Sequence, residues 1–304
     1  MRTAAAKKFG DFHMPSVALG YAKKAIRRGL RAGRVLLRTP LEQSAKRLKD
    51  EALRRGTGRI SMTDASCYAR FDASKLSGVG SSIAELRSLG ESWKLDKSRQ
   101  KEGQLPINLL RTADLFQHRA FVDFAVHDEI LAAVTAYIGQ LPRLYNLTLW
   151  WSPPNQTAQG SQLYHYDHRD NRQAKVFINL NNVTKDSGPL HFLSAADCLK
   201  VDAKVGYSQG RYTDDDVYSA VPQSNVIATV GEPGSAFIVD TARCLHYGSR
   251  GNTLDRFVLL ASFARVNSVD PGPGCRVLDP ARTRLAKEFY NSDPVKSFVL
   301  DTPI

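Results

Sequence analysis

Short apolar or alternating runs, broken by Gly, Pro and Asn, dominate the chain beyond Pro142. Runs of this length and spacing are typical of the strands of a β-sandwich or β-barrel. They predict strands over residues 145–151, 162–167, 174–181, 226–230, 235–239 and 256–264. The pattern therefore predicts a mainly β domain.

Helical patterns precede these runs. Thr39-Pro40-Leu41-Glu42 combines a capping residue, a first-turn proline and a glutamate, and it predicts a helix that ends near Arg55. A second capping pattern at Ser82 predicts a short helix that stops at Gly90. Apolar residues recur at helical spacing over 112–139, which predicts one or two helices there. After the strands, a Pro at 280 predicts a helix over about 280–290.

Positive charge is concentrated at the N-terminus. Residues 1–60 hold 16 of the 42 Lys and Arg residues and 4 of the 30 Asp and Glu residues, so this segment carries the whole formal net charge of +12. We therefore predict a basic, helical extension over 1–60 and a core domain over 61–304. The simplest interpretation of the extension is a solvated helix surface. Interleaved apolar residues such as Ile26 and Leu30 also suit an anionic membrane surface, and the scarcity of aromatic residues makes nucleic acid the least favoured partner.

The chain has no pattern typical of secretion or membrane insertion. No apolar run approaches the roughly 18 residues that a membrane-spanning helix needs, and the N-terminus has no signal-peptide core. The four cysteines are scattered, without metal-type pairs. These features predict a cytoplasmic protein with reduced thiols, with peripheral membrane contact left open through the basic extension.

A candidate metal site follows from the histidines in strand-like segments. In Tyr164-His165-Tyr166-Asp167, side chains 165 and 167 point to the same side of a strand. A later histidine on an adjacent strand would complete two nitrogens and one oxygen, the facial triad of non-haem Fe(II) oxygenases. By itself a His-x-Asp pair is weak evidence, since such a histidine is commonly only hydrogen-bonded. The rival pair His168 and Asp170 has the opposite parity, so only one pair can face a barrel interior.

A series of short motifs surrounds these candidates between residues 105 and 266. The motifs are Gln162-Leu163-Tyr164-His165-Tyr166-Asp167, Lys175-Val176-Phe177-Ile178-Asn179-Leu180, Asp186-Ser187-Gly188-Pro189-Leu190, Gly231-Glu232-Pro233-Gly234-Ser235-Ala236-Phe237-Ile238-Val239-Asp240, Cys244-Leu245-His246-Tyr247-Gly248-Ser249 and Arg256-Phe257-Val258-Leu259-Leu260. In this order they resemble the phytanoyl-CoA dioxygenase (PhyH) family of Fe(II)- and 2-oxoglutarate-dependent oxygenases. The ordered set is more specific than any one motif.

This resemblance implies a fold, a metal and a reaction. The expected fold is a double-stranded β-helix, the jelly-roll or cupin-like barrel, with flanking helices. The expected metal is Fe(II), held by His165, Asp167 and His246, with 2-oxoglutarate and O2 as cosubstrates. Hydroxylation with release of succinate and CO2 is the default outcome, because related halogenases carry Gly or Ala where Asp167 stands.

Four further residues are candidates for cosubstrate binding. Arg256 would bind the far carboxylate of 2-oxoglutarate through its two-pronged donor face, although a surface ion pair with Asp255 is the plain alternative. Lys175 is expected to contribute to the same pocket or to lie at the surface. Ser249 and Gln162 are candidates for further hydrogen bonds near the metal, or for ordinary turn and strand contacts.

The substrate and two other functional classes stay open at this level. The polar, aromatic stretch between Cys198 and Val226 predicts a long loop that is either a lid or a solvated connection. The small-molecule substrate itself is not indicated. A non-catalytic barrel that binds a membrane surface or a partner through its basic arm is the main alternative, and a zinc hydrolase is a third possibility.

Overall fold

The structure is a computed structural model that describes residues 40–100, 105–168, 170–208, 210–268 and 277–301. The expected membrane contact of the basic arm falls mostly on residues 1–39, which lie outside the described residues. Leu41–Ile304 form one compact unit. The helices are α1 (40–55), α2 (Gly80–Trp93), α3 (Asp114–Gln117), α4 (Ala120–Ala125), α5 (Asp128–Ile138), α6 (Ala195–Val205), α7 (Asp214–Ala220), α8 (Arg282–Tyr290) and α9 (Pro294–Asp301).

Two antiparallel sheets form the β part. Their strands are β1 (Tyr68–Asp72), β2 (Ile107–Asn108), β3 (Arg143–Ser152), β4 (Gln173–Asn179), β5 (His191–Phe192), β6 (Ile227–Ala228), β7 (Ser235–Val239), β8 (His246–Tyr247) and β9 (Arg256–Ala264). The six-stranded sheet has the order β1-β7-β4-β9-β3-β2, and the three-stranded sheet has the order β6-β5-β8. The prediction of a mainly β fold with flanking helices is confirmed.

Closure of the sheets into a barrel is not seen in the strand pairings of the described residues. The sheets are open, and the run over 162–167 forms no strand: Tyr164 and His165 each make one antiparallel bridge, to Tyr212 and His246. The other predicted strands are confirmed, with bounds shifted by a few residues. Single antiparallel bridges therefore hold residues 162–167, and this segment carries His165 and Asp167 of the candidate site.

Helices cover the outer face of the larger sheet. α4, α5 and α9 pack on β3 and β4. Alternation along β4 sends Val176 and Ile178 into the apolar core, while Lys175 and Phe177 line a cavity on the other side. No helix in the described ranges is both long and apolar enough to cross a membrane.

The helix predicted to end near Arg55 is confirmed as α1, and it packs on the core. Ala45 and Ala52 are buried. Arg55 donates hydrogen bonds of 2.9 and 2.8 Å to the carboxylate of Asp293, which precedes α9. The helix predicted near the C-terminus is likewise confirmed as α8.

Three helical predictions were wrong in detail. α2 begins at Gly80 and runs through Gly90. A Cβ on Gly90 would lie only 2.9 Å from the ring of Phe257. Gly90 thus permits close packing and does not stop the helix. Residues 112–139 form three helices instead of one or two.

The polar stretch after Cys198 is largely helical and is not one long loop. The Thr213 hydroxyl accepts the N–H of Asp216 at 3.1 Å, and the Asp216 carboxylate accepts the N–H of Thr213 at 2.8 Å. This reciprocal cap starts α7. Its signal was present in the sequence, with aspartate at the position where glutamate is usual.

Candidate metal and cosubstrate site

His165 and His246 lie side by side because their backbones pair. The N–H of each donates to the carbonyl of the other at 3.1 Å. In an antiparallel bridge the two side chains leave on the same face, and the ring centroids are accordingly 4.2 Å apart. The fold thus brings together two histidines that are 81 positions apart in the chain.

Backbone carbonyls fix the tautomer of both imidazoles. His165 Nδ1 lies 2.8 Å from the oxygen of Leu163, and His246 Nδ1 lies 3.0 Å from the oxygen of Cys244. A carbonyl oxygen only accepts, so Nδ1 donates in each case and Nε2 keeps its lone pair. Burial lowers the pKa of His165, and burial together with His165 lowers the pKa of His246 to about 3. Both rings are therefore neutral at pH 7, the form that binds metals.

Asp167 completes a cluster of three possible ligands. Its backbone N–H donates to the oxygen of Thr241 at 2.9 Å, and its Oδ2 lies 3.6 Å from His246 Nε2. One ligand atom from each of Asp167, His165 and His246 lies within 4.8 Å of the others, so the three could hold one metal ion. Burial would raise the pKa of Asp167, but Lys175 and His246 outweigh burial and hold that pKa well below its usual range.

The donor set suits a divalent transition metal. Two imidazole nitrogens and one carboxylate oxygen form the 2-His-1-carboxylate set that non-haem Fe(II) favours. Asp167 Oδ2 is buried and accepts no well-aligned hydrogen bond from the described residues, although Lys175 Nζ forms an ion pair with it at 2.6 Å. The free lone pairs of His165 and His246 and this oxygen are the groups that a metal ion would satisfy.

Arg256, the first residue of β9, carries a buried charge without an acidic partner in the described part of the chain. Its Nη2 donates to the hydroxyls of Ser249 and Ser152 at 3.0 and 3.3 Å, while its Nε has no hydrogen-bond partner among those residues. Burial lowers the pKa of Arg256 to about 10. Asp255, the alternative partner, instead pairs with Lys94 at 2.9 Å. A carboxylate would satisfy this guanidinium.

Ser249 and Gln162 lie at the arginine end of the site and support Arg256. Ser249 has a left-handed backbone conformation, with φ of 59°, and its hydroxyl lies 2.6 Å from that of Ser152. Gln162 Nε2 donates to the carbonyl of Ser249 at 2.7 Å and to the side chain of Asn155 at 3.0 Å. The donors of Gln162 are thus occupied away from the three possible metal ligands.

A cavity of about 280 Å³ joins the two halves of the site. It is lined by the three possible metal ligands, by Lys175, and by Arg256 with Ser249. Trp150 of β3 and Phe177 of β4 add apolar surface. Lys175 lies at the Asp167 end of this cavity.

The rival pair lies outside this cluster, as its parity predicted. Asp170 is buried in an ion pair with Arg265. His168 lies beside the ring of Tyr207, with centroids 6.5 Å apart. Arg169, between His168 and Asp170, lies outside the described residues.

Two contributors to the site were missed in the sequence. Ser152 ends strand β3 and pairs in register with Arg256. A polar residue directly after the apolar run Leu149-Trp150-Trp151 was the available signal. Thr241 contributes a backbone carbonyl to Asp167, and no motif in the sequence marked this residue.

Comparisons with known proteins bear on the fold. No protein-family model matches the chain, and no curated protein matches it. Among solved structures, EctD from S. alaskensis aligns with a TM-score of 0.50 and 14% identity, over 70% of this chain and 80% of EctD. This match shows a shared fold.

Two further solved structures are similar at lower scores. The non-heme alpha ketoglutarate dependent carbocyclase SnoK from nogalamycin biosynthesis has a TM-score of 0.48 and 15% identity, over 66% of this chain and 81% of SnoK. EvdO2 from Micromonospora carbonacea var. aurantiaca, complexed with 2-oxoglutarate, has a TM-score of 0.47 and 18% identity, over 70% of this chain and 96% of EvdO2.

Proposed function

We propose that this protein is an Fe(II)- and 2-oxoglutarate-dependent dioxygenase that hydroxylates an unactivated C–H bond of a small-molecule or acyl substrate. One observation carries the proposal: a metal-competent donor set and a buried arginine without an acidic partner in the described residues line the same cavity. His165, Asp167 and His246 would hold the iron. Arg256 would bind the far carboxylate of 2-oxoglutarate.

Each side chain has a role that its surroundings support. The two neutral imidazoles offer Nε2 lone pairs, and Asp167 is ionised at pH 7 because its pKa is held low. Ser249, supported by Gln162, orients the guanidinium of Arg256. Bound iron and 2-oxoglutarate would supply the oxidising chemistry, with O2 consumed and succinate and CO2 released as the substrate is hydroxylated.

We also propose that the two sheets correspond to the two halves of a double-stranded β-helix. The cavity supports this, because its lining comes from β3, β4 and β9 of the larger sheet and from β8 of the smaller one. In such a barrel the inward-facing side chains of both halves meet on one ligand. The retained carboxylate of Asp167 supports hydroxylation over halogenation, following the family resemblance.

The test is an anaerobic titration of the full chain with Fe(II) and 2-oxoglutarate, followed through the visible charge-transfer band. The band should appear with the native protein and be lost in His246→Ala. His168→Ala is the matched control, since it removes an imidazole next to Asp167 that lies outside the cluster. Admission of O2 should then release succinate.

Absence of the band from the native protein, or an unchanged band in His246→Ala, would contradict the proposal. That result would favour the non-catalytic alternative, a barrel that binds a membrane surface or a partner through its basic arm. Metal analysis separates the remaining class: a zinc hydrolase would retain zinc and release no succinate.

A further inference from the structure

The positively charged side chains of the cavity outnumber the negatively charged ones. Lys175 and Arg256 are positive, and Asp167 is the one acidic side chain that lines the cavity in the described part of the chain. His165 and His246 each donate Nδ1–H to a backbone carbonyl, and the neutral imidazole with a free Nε2 is the form that binds a metal. The protein therefore contributes one surplus positive charge to this cavity.

Loading of the site leaves this surplus unchanged, an argument that rests on the proposed function. A divalent metal ion adds two positive charges, and 2-oxoglutarate adds two negative charges. The net charge of the cavity is the same whichever cation each carboxylate of 2-oxoglutarate contacts. The loaded cavity therefore still carries one net positive charge. A charge buried without a counter-charge is costly, so one negative group is missing.

Lys175 is the cation whose partner is lost on loading. Its Nζ lies 2.6 Å from Oδ2 of Asp167, and its side chain is only 14% exposed. When Asp167 binds a divalent cation, the ammonium of Lys175 faces a like charge at close range and loses most of its attraction to the carboxylate. An anion must then take the place of Asp167.

The register of the sheet separates Lys175 from the arginine that would bind 2-oxoglutarate. Lys175 pairs with Ser262 on β9, whereas Arg256 begins that strand. Six residues of strand span about 20 Å at the usual rise. The two cations thus enter the cavity from different ends, and Lys175 lies on the side of Asp167.

A further positive charge, that of Arg211, lies near the cavity wall. Arg211 Nε donates to the carbonyl of Gly160 at 2.8 Å, next to Ser161 of the cavity wall. Arg211 is exposed, and its positive charge acts on His165. Cations at a mouth attract anions to it.

We propose that Lys175 binds a carboxylate of the substrate, and that the substrate class is organic acids with an apolar portion next to that carboxylate. Trp150, Phe177 and Leu190 of the cavity wall would contact the apolar portion. A carboxylate matches the single surplus charge, whereas a phosphate monoester with close to two negative charges exceeds it. Lys175 therefore serves the substrate and not the cosubstrate, and it is a specificity-determining residue.

The experiment uses benzoate and its neutral isostere benzamide as probes. The full chain is loaded with Ni(II), which replaces iron without turnover, and with 2-oxoglutarate, and each probe is titrated by calorimetry at constant ionic strength. Benzoate should bind at least about tenfold more tightly than benzamide, since loss of one partner of a buried charge pair is costly. Lys175→Met should weaken benzoate by a similar factor, while Lys185→Met, at an exposed position outside the cavity, should not.

Any one of three results would overturn this inference and leave the proposed function standing: equal binding of benzoate and benzamide, no binding of benzoate, or benzoate binding unchanged in Lys175→Met. A Lys175→Met protein that loses affinity for 2-oxoglutarate by the same factor would also overturn it, because Lys175 would then serve the cosubstrate. Failure of the native chain to bind Ni(II) and 2-oxoglutarate is a separate result and would overturn the proposed function as well. Melting curves of the variants check that both are folded.

Discussion

Replacement of Arg256 by Met tests two effects of one buried charge: the stability that it costs the ligand-free protein and the affinity that it provides for 2-oxoglutarate. The substitution removes the guanidinium and keeps an unbranched side chain of similar reach at the start of β9. Arg256 is buried and has no acidic partner in the described residues. Its charge should therefore destabilise the ligand-free protein and stabilise the complex with 2-oxoglutarate.

The expected gain in the ligand-free protein follows from the pKa of Arg256, which burial lowers from 12.5 to about 10. At about 1.4 kcal/mol per unit, the charged form costs roughly 3 kcal/mol in the folded state. The cost is fully present at pH 7, which is below the lowered pKa. Loss of the hydrogen bonds to Ser249 and Ser152 lowers the free energy of unfolding by about 1 kcal/mol for each bond. Arg256→Met should thus raise the free energy of unfolding by about 1 kcal/mol, or the melting temperature by about 2–4 °C.

The expected loss in binding is larger than this gain. Truncation of one partner of a buried charge pair costs about 2–5 kcal/mol. A loss of about 2 kcal/mol already weakens the affinity for 2-oxoglutarate about thirtyfold. Arg256→Met should therefore melt higher than the native protein without ligand and should be stabilised less than the native protein by the same concentration of 2-oxoglutarate.

Melting curves of the metal-loaded chain with and without 2-oxoglutarate, together with calorimetric titration, measure both effects. Arg265→Met is the matched control, because it removes an arginine that pairs with Asp170, whose side chain is only 3% exposed. That control should melt lower than the native protein, since it leaves a buried carboxylate unpaired. A lower melting temperature for Arg256→Met with unchanged affinity for 2-oxoglutarate would refute the reasoning.

Two further predictions concern other parts of the chain. Tyr137→Phe removes a 2.6 Å hydrogen bond to Asp240, whose pKa burial raises to about 6, and should cost about 1–3 kcal/mol. The loss in melting temperature should be larger above that pKa, where the carboxylate is ionised, than below it; an equal loss on both sides would contradict this. Deletion of residues 2–39 should leave Fe(II) binding intact and reduce sedimentation with anionic vesicles, and equal sedimentation would exclude lipid contact by this segment.

Local patterns determined the parts of this protein that depend on neighbours in the chain. Alternation along an extended segment placed His165 and Asp167 on one side and sent the rival Asp170 elsewhere, and α1 and α8 followed from their capping and proline signals. These predictions succeeded because side-chain direction and helix starts are set within a few residues. The identity of the later histidine came from the family resemblance.

Contacts between distant residues decided the rest. Gly90 looked like a helix stop and instead makes room for the ring of Phe257, which is 167 positions away. For Lys175 the sequence left open a place in the cosubstrate pocket or at the surface, and in the structure its side chain pairs with Asp167. Whether Arg256 has a counter-ion depends on which acidic groups the folded sheets bring near it. Sequence fixes the chemistry that each side chain can offer, but the free energy of a buried charge depends on its surroundings, and only the tertiary structure supplies those.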